Sequence, residues 1–221
     1  MSCPICGKRP PKRYCPAKGE KICAVCCGRE REVTIDCPLD CSYLIAAHRY
    51  EAEHRQPPSA DDFPYKGVQF SVDFVYQHWP IVAGIATAIL TFQTQHRDLH
   101  DSEIYTAIER LADTYRTLGT GIYYERPPEA QYPLALYGEI RRFLDDFRKA
   151  EASQTGFSSL RDSDIFQLLV FLLRMYKTET NGRPRSRAFL AFLRARFPIG
   201  SAALGEAHGS PAPEAPRIII P

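Results

Sequence analysis

"CPICGKRPPKRYCPAKGEKICAVCCGREREVTIDCPLDC", residues 3–41, holds all eight cysteines of a 221-residue chain. They fall as Cys3-x2-Cys6, Cys15, Cys23-x2-Cys26-Cys27 and Cys37-x3-Cys41. Thiols two or three residues apart let one turn present two thiolates to one ion, so these clusters suit two tetrahedral metal sites. The same cysteines paired as disulfides would need an oxidising compartment. Met1 leads directly into Ser2, Cys3 and Pro4, with no basic stretch and apolar core of a secretory signal, and a cytoplasmic location is expected. The compact C-x2-C-x2-C-x3-C-P run of ferredoxins is absent, and zinc is the ordinary occupant of all-sulfur structural sites. Two Zn2+ ions are therefore expected.

Working outward, Arg31 to Asp36 (REVTID) alternates apolar Val33 and Ile35 with polar neighbours, as a short strand does. Asp40 to His54 reads as a helix, with Asp40 as its cap and Tyr43, Leu44, Ala47 and Tyr50 at helical spacing. Cys41 would lie in its first turn, where the helix dipole favours a thiolate.

The order C-x2-C, a basic-aromatic-C-P step (Arg13-Tyr14-Cys15-Pro16), C-x3-C (Cys23 and Cys27) and a last pair resembles the HIT and MYND cross-brace zinc fingers over residues 3–50. The resemblance implies interleaved ligands, with Cys3, Cys6, Cys23 and Cys27 at one ion and Cys15, Cys37 and Cys41 at the other. This chain departs from the pattern twice. Lys18 stands where a cysteine is usual, and Cys37 where a histidine is usual in the last pair. Cys26 is the natural replacement ligand and His48 its competitor; the residues leave open which of Cys26 and Cys27 serves which ion.

The formal charge is +2 with neutral thiols. Eight thiolates on two divalent ions subtract four charges, leaving about −2, so a generally basic coat for nucleic acid is not indicated. Locally, Lys8, Arg9, Lys12, Arg13, Lys18 and Lys21 face one acid, Glu20. Such a loop either screens the thiolates or meets phosphate or an acidic partner.

Beyond residue 55 the chain reads as a linker over 56–67, an α-helical domain over 68–198 and a tail over 199–221 ending in PRIIIP. Val68 to Phe74 alternates and reads as either a strand or the lead-in to a helix over Trp79 to Gln95. The apolar run Trp79 to Phe92 is short of the roughly 20 residues a membrane span needs. Leu99 to Gly121 and Leu160 to Gly182 align without a gap, each opening on an aspartate cap, and suggest two related helical hairpins. The second copy, apolar nearly all round, is expected at the centre. Arg183 to Phe197 reads as one helix with five arginines and no acid. Asp145 and Asp146 are the internal acids expected to face it, and an anionic partner is the alternative.

No nucleophile is paired with a base. His96 and His100 are placed at a helix end and loop, and Glu51 to His54 supplies only one of the motifs a di-iron bundle requires. The expectation is a mainly α protein with a two-zinc finger over residues 1–55, non-enzymatic, assembling with a protein partner. Nucleic acid bound through the Lys8–Lys21 loop and the Arg183–Arg196 helix is the alternative, and candidate contacts are Lys8, Arg9, Lys12, Arg13, Arg185, Arg187 and Arg194. Ile218, Ile219 and Ile220 are candidates for strand addition to a partner. A redox-sensitive thiol beside Cys26 and Cys27, and indirect attachment to a membrane complex, are the further readings.

Overall fold

Two tight turns open the N-terminal unit. Gly7 (φ 65°) donates its N–H to Cys3 O at 2.7 Å, and Gly19 (φ 68°) donates to Cys15 O at 2.9 Å. Both backbones are left-handed, where only glycine is free of the Cβ penalty. Each turn folds the chain back just after a cysteine. In the computed structural model, whose described residues are 2–121 and 123–198, strands β1 (Arg13–Cys15) and β2 (Glu20–Ile22) then pair antiparallel. The register sets Arg13 opposite Ile22, Tyr14 opposite Lys21 and Cys15 opposite Glu20. Helices α1 (Ala24–Glu30) and α2 (Ser42–His54) follow, and a small core forms around Ile22, Ile35, Leu44 and the cysteines. Arg31 to Asp36 is a turn with one isolated bridge, Arg31 to Ile35, rather than the expected strand. Helix α2 is capped at Cys41, one residue after Asp40.

Residues 68–198 form the helical body: α3 (Val72–Gln77), α4 (Trp79–Gln95), α5 (Asp101–Leu118), α6 (Gln131–Thr155), α7 (Asp162–Glu179) and α8 (Ala188–Arg196). The Val68 to Phe74 stretch is the approach to α3, whose cap Ser71 accepts from Phe74 N, and not a strand. Helices α5 and α7 are the two halves of the internal echo and pack against each other. Their starts differ from expectation by one residue. His100 and Arg161 are the caps, Asp101 and Asp162 occupy the first helical position, and Glu103 and Asp164 accept the cap N–H groups at 2.8 and 3.1 Å. Carboxylates in the first turn complement the positive helix end.

The body's core is continuous from Val75 to Phe197. In α7, Leu168 through Leu173 are all buried, as a helix enclosed by neighbours requires. Helix α5 contacts α6, α7 and α8 and is equally central. Between α4 and α6 the surface opens into a groove of about 940 Å³, floored by Gly84, Thr87, Ala88 and Thr91 and walled by Phe143. Among the described residues, no helix is long and apolar enough to cross a membrane. Ile218, Ile219 and Ile220, expected to add as a strand to a partner, lie outside the described residues.

Candidate metal centre

Helix α1 begins one residue after Cys23, which takes the N-cap position: its sulfur accepts from Cys26 N at 3.4 Å. This cap geometry turns Cys26 back toward Cys23, while Cys27 is carried about 100° further round the helix. The turn ending at Gly7 brings in Cys3 and Cys6. The sulfurs of Cys3, Cys6, Cys23 and Cys26 consequently lie within 4.8 Å of one another, with Cys6 and Cys23 at 3.9 Å. Tetrahedral zinc with Zn–S bonds of about 2.3 Å needs sulfurs about 3.8 Å apart, a spacing that the Cys6–Cys23 pair already has and that the quartet as a whole approaches.

The electrostatics also suit a dication. The N–H groups of Lys8 and Arg9 lower the Cys6 thiol to about 6. Burial opposes ionisation of Cys3, yet the N–H of Cys23, 3.3 Å from its sulfur, and those of Cys6 and Ile5 lower it too. Burial and the neighbouring sulfurs push Cys26 up to about 12. Four crowded sulfurs cannot all carry charge unaided, because each anion holds its neighbours protonated. A divalent ion removes that conflict and leaves no open coordination position.

The ligand set that the resemblance implied is therefore altered: Cys26, not Cys27, completes the first quartet. Cys15, Cys37, Cys27 and Cys41 lie elsewhere in the same small core. Burial pushes the Cys37 thiol up to about 11, with the Cys41 and Cys15 sulfurs adding to the rise. His48 turns away from the sulfurs and meets both oxygens of Glu32 at 3.0 Å through Nε2. His96 packs its ring, tilted, against Phe92 and Tyr132, while His100 Nε2 meets Asp36 at 3.0 Å, so the two do not share a site.

The arginine segment is where sequence and structure part most. Helix α8 starts only at Ala188, and residues 183–187 run across the finger. Arg187, 2% exposed, donates through Nη1 to Asp36 at 2.6 Å and Cys37 O at 2.7 Å, and through Nε to Leu99 O at 3.0 Å. Arg183 pairs with Glu51 at 2.9 Å, and Arg185 Nη1 reaches Thr34 O at 3.3 Å. Arg187 is thus excluded as a partner contact. The expected acids Asp145 and Asp146 are not its counterions; Asp36 is. Arg194 remains exposed.

Glu32 completes the junction. It is fully buried and left-handed at φ 53°, a strained setting for a residue with a Cβ. Its carboxylate accepts from His48, from Asn181 Nδ2 at 2.7 Å and from Arg187 N at 2.7 Å. Burial alone would raise its pKa, but His48 and these donors hold it below the usual carboxylate range. Asp101, also fully buried, accepts from Ser186 Oγ at 2.6 Å and caps α8 through Phe189 N and Leu190 N. This network joins residues up to 155 positions apart and has no local signature in the sequence. The available signal was the acid run Glu30, Glu32 and Asp36 set against Arg183, Arg185 and Arg187.

Comparison with family models, with curated proteins and with solved structures finds no match. The likeness to HIT and MYND fingers thus rests on the spacing of residues 3–50 alone.

Proposed function

We propose that this chain is a non-enzymatic zinc protein that serves as an interaction subunit of a larger protein assembly. The single observation that carries the reading is the closed quartet of Cys3, Cys6, Cys23 and Cys26, which offers four sulfurs and no vacant position for substrate. A second Zn2+ is held by Cys15, Cys27, Cys37 and Cys41, the cysteines left over once the first quartet is assigned. Burial of Cys15 and Cys37 in the finger core supports that assignment.

Zinc here contributes folding energy to a unit too small to hold itself together. The surface it supports carries exposed apolar side chains, Val25, Ile45 and Tyr50 among them, and the body adds the α4–α6 groove. Such features suit protein contact. The test is zinc stoichiometry together with mild affinity purification from the source cells, with and without nuclease. Two zinc ions per chain and protein partners that survive nuclease are expected. A metal-free folded chain, or partners that all vanish with nuclease, would overturn the reading.

A further inference from the structure

The β1–β2 hairpin has two unlike faces. Cys15 and Ile22 are buried on the inner one, and Arg13 turns inward with them. Its guanidinium lies 4.6 Å from the Tyr43 ring and donates to Cys27 Sγ at 3.7 Å. Screening of the sulfurs therefore falls to Arg13, the one cation of residues 8–21 that contacts a sulfur among the described residues. On the outer face Tyr14 stands directly opposite Lys21, and Lys12, two residues before Tyr14, shares that face. Lys8, Arg9, Lys12, Lys18 and Lys21 are exposed, and none is in an ion pair among the described residues. Arg148, Arg161, Arg183 and Arg187 of the body, by contrast, each pair with a carboxylate. Tyr14 is 57% exposed, with Lys21 across from it and Lys12 beside it on the same face.

We propose that this outer face binds single-stranded nucleic acid, with the Tyr14 ring stacking on a base, Lys12 and Lys21 beside it neutralising phosphates, and the exposed Lys8, Arg9 and Lys18 of the adjoining turns neutralising others. An aromatic ring set among unpaired cations is the arrangement that grips a flexible strand, since every base offers a π face and every link an anion. An acidic peptide would use the lysines but give the Tyr14 ring no partner. The surface is independent of the α4–α6 groove, so the two contacts are compatible in one assembly.

The test uses the zinc-loaded full chain and fluorescence anisotropy of labelled oligo(U) and oligo(dT) of about 15 nucleotides, within the usual site size. With five phosphate contacts the affinity falls about 100-fold between roughly 50 and 200 mM salt, following the single-strand slope. Tyr14→Ala weakens binding about 10-fold at fixed salt with an unchanged salt slope, and Tyr14→Phe retains it. Lys21→Gln lowers the slope by about 0.7. Zinc content is measured for each variant. If Tyr14→Ala loses zinc, the Lys12→Gln/Lys21→Gln pair, both exposed, takes its place and is expected to lower the slope by about 1.4. Absence of binding to either probe at the lower salt, or variants that bind like the parent with zinc intact, overturns the proposal.

Discussion

Replacing Arg187 by alanine tests whether finger and body are one cooperative unit. The guanidinium is buried, and its removal leaves Asp36 with His100 as its remaining side-chain partner and takes from the carbonyls of Cys37 and Leu99 the donor that Arg187 supplies. Breaking a fully buried ion pair from one side costs about 3–5 kcal/mol. The Asp36 side chain is 37% exposed, so water takes over part of that charge and the lower end applies, about 3 kcal/mol including the carbonyls. For a chain of this size each kcal/mol lowers Tm by about 2–4 °C, giving a shift of about 6–12 °C. Urea unfolding followed by Trp79 fluorescence reports the body, because this sole tryptophan opens α4 and stacks near Phe197. Zinc release to a chromogenic chelator reports the finger. Both curves are expected to move together in Arg187→Ala, and by roughly half as much in Arg187→Lys, which keeps one donor group. A loss below about 1 kcal/mol, or a body transition that stays put while zinc is released, would refute the reasoning.

Three further outcomes are expected. With zinc supplied, Cys26→Ser is expected to open Cys3, Cys6 and Cys23 to alkylation and Cys27→Ser to leave them protected, so alkylation of these three thiols in Cys27→Ser, or their protection in Cys26→Ser, would contradict the assignment. Leu172→Ala in the enclosed helix α7 costs about 2–5 kcal/mol in urea midpoint analysis, and a loss under 1 would mean that α7 is not enclosed. Glu125 accepts from Tyr123 and, at 2.8 Å, from Tyr137, and pairs with Arg141, which hold its carboxyl below the usual range. A depressed folded pKa gives stability that is complete above the unfolded value of about 4.3 and is lost as pH falls through the folded one. Glu125→Gln should therefore be less stable at neutral pH with a flatter acid limb, and an acid limb unchanged by the substitution would count against that role.

What the sequence revealed follows the range of each interaction. Ligand pairs such as Cys3 and Cys6 are local, so their spacing betrays the metal before any fold is known. The choice of Cys26 over Cys27 depends on which residue caps α1, a matter of one helical step that spacing does not encode. Helices α4, α5 and α7 are legible from their apolar patterns, and α5 and α7 also from their first-turn acids, since each signal lies within one element. The segment 183–187 reads as helix only by extension from the apolar stripe of Phe189, Leu190, Leu193 and Phe197, although Pro184 and Ser186 are poor helix formers. Its path is fixed by carboxylates at positions 32 and 36 some 150 residues away, a range that no local pattern encodes.

That separation bears on how the chain is made. Glu32 emerges from a ribosome early, yet two of the three groups that satisfy its buried carboxylate, Asn181 and the Arg187 amide, are among the last described residues to be synthesised, only His48 following soon after it. Contacts so distant along the chain form slowly, because loop closure precedes any gain from them. Until those groups arrive, the part of the finger already made holds that carboxylate through His48, with water in place of the distant donors. Truncation anywhere before residue 187 would leave Glu32 in that half-satisfied state.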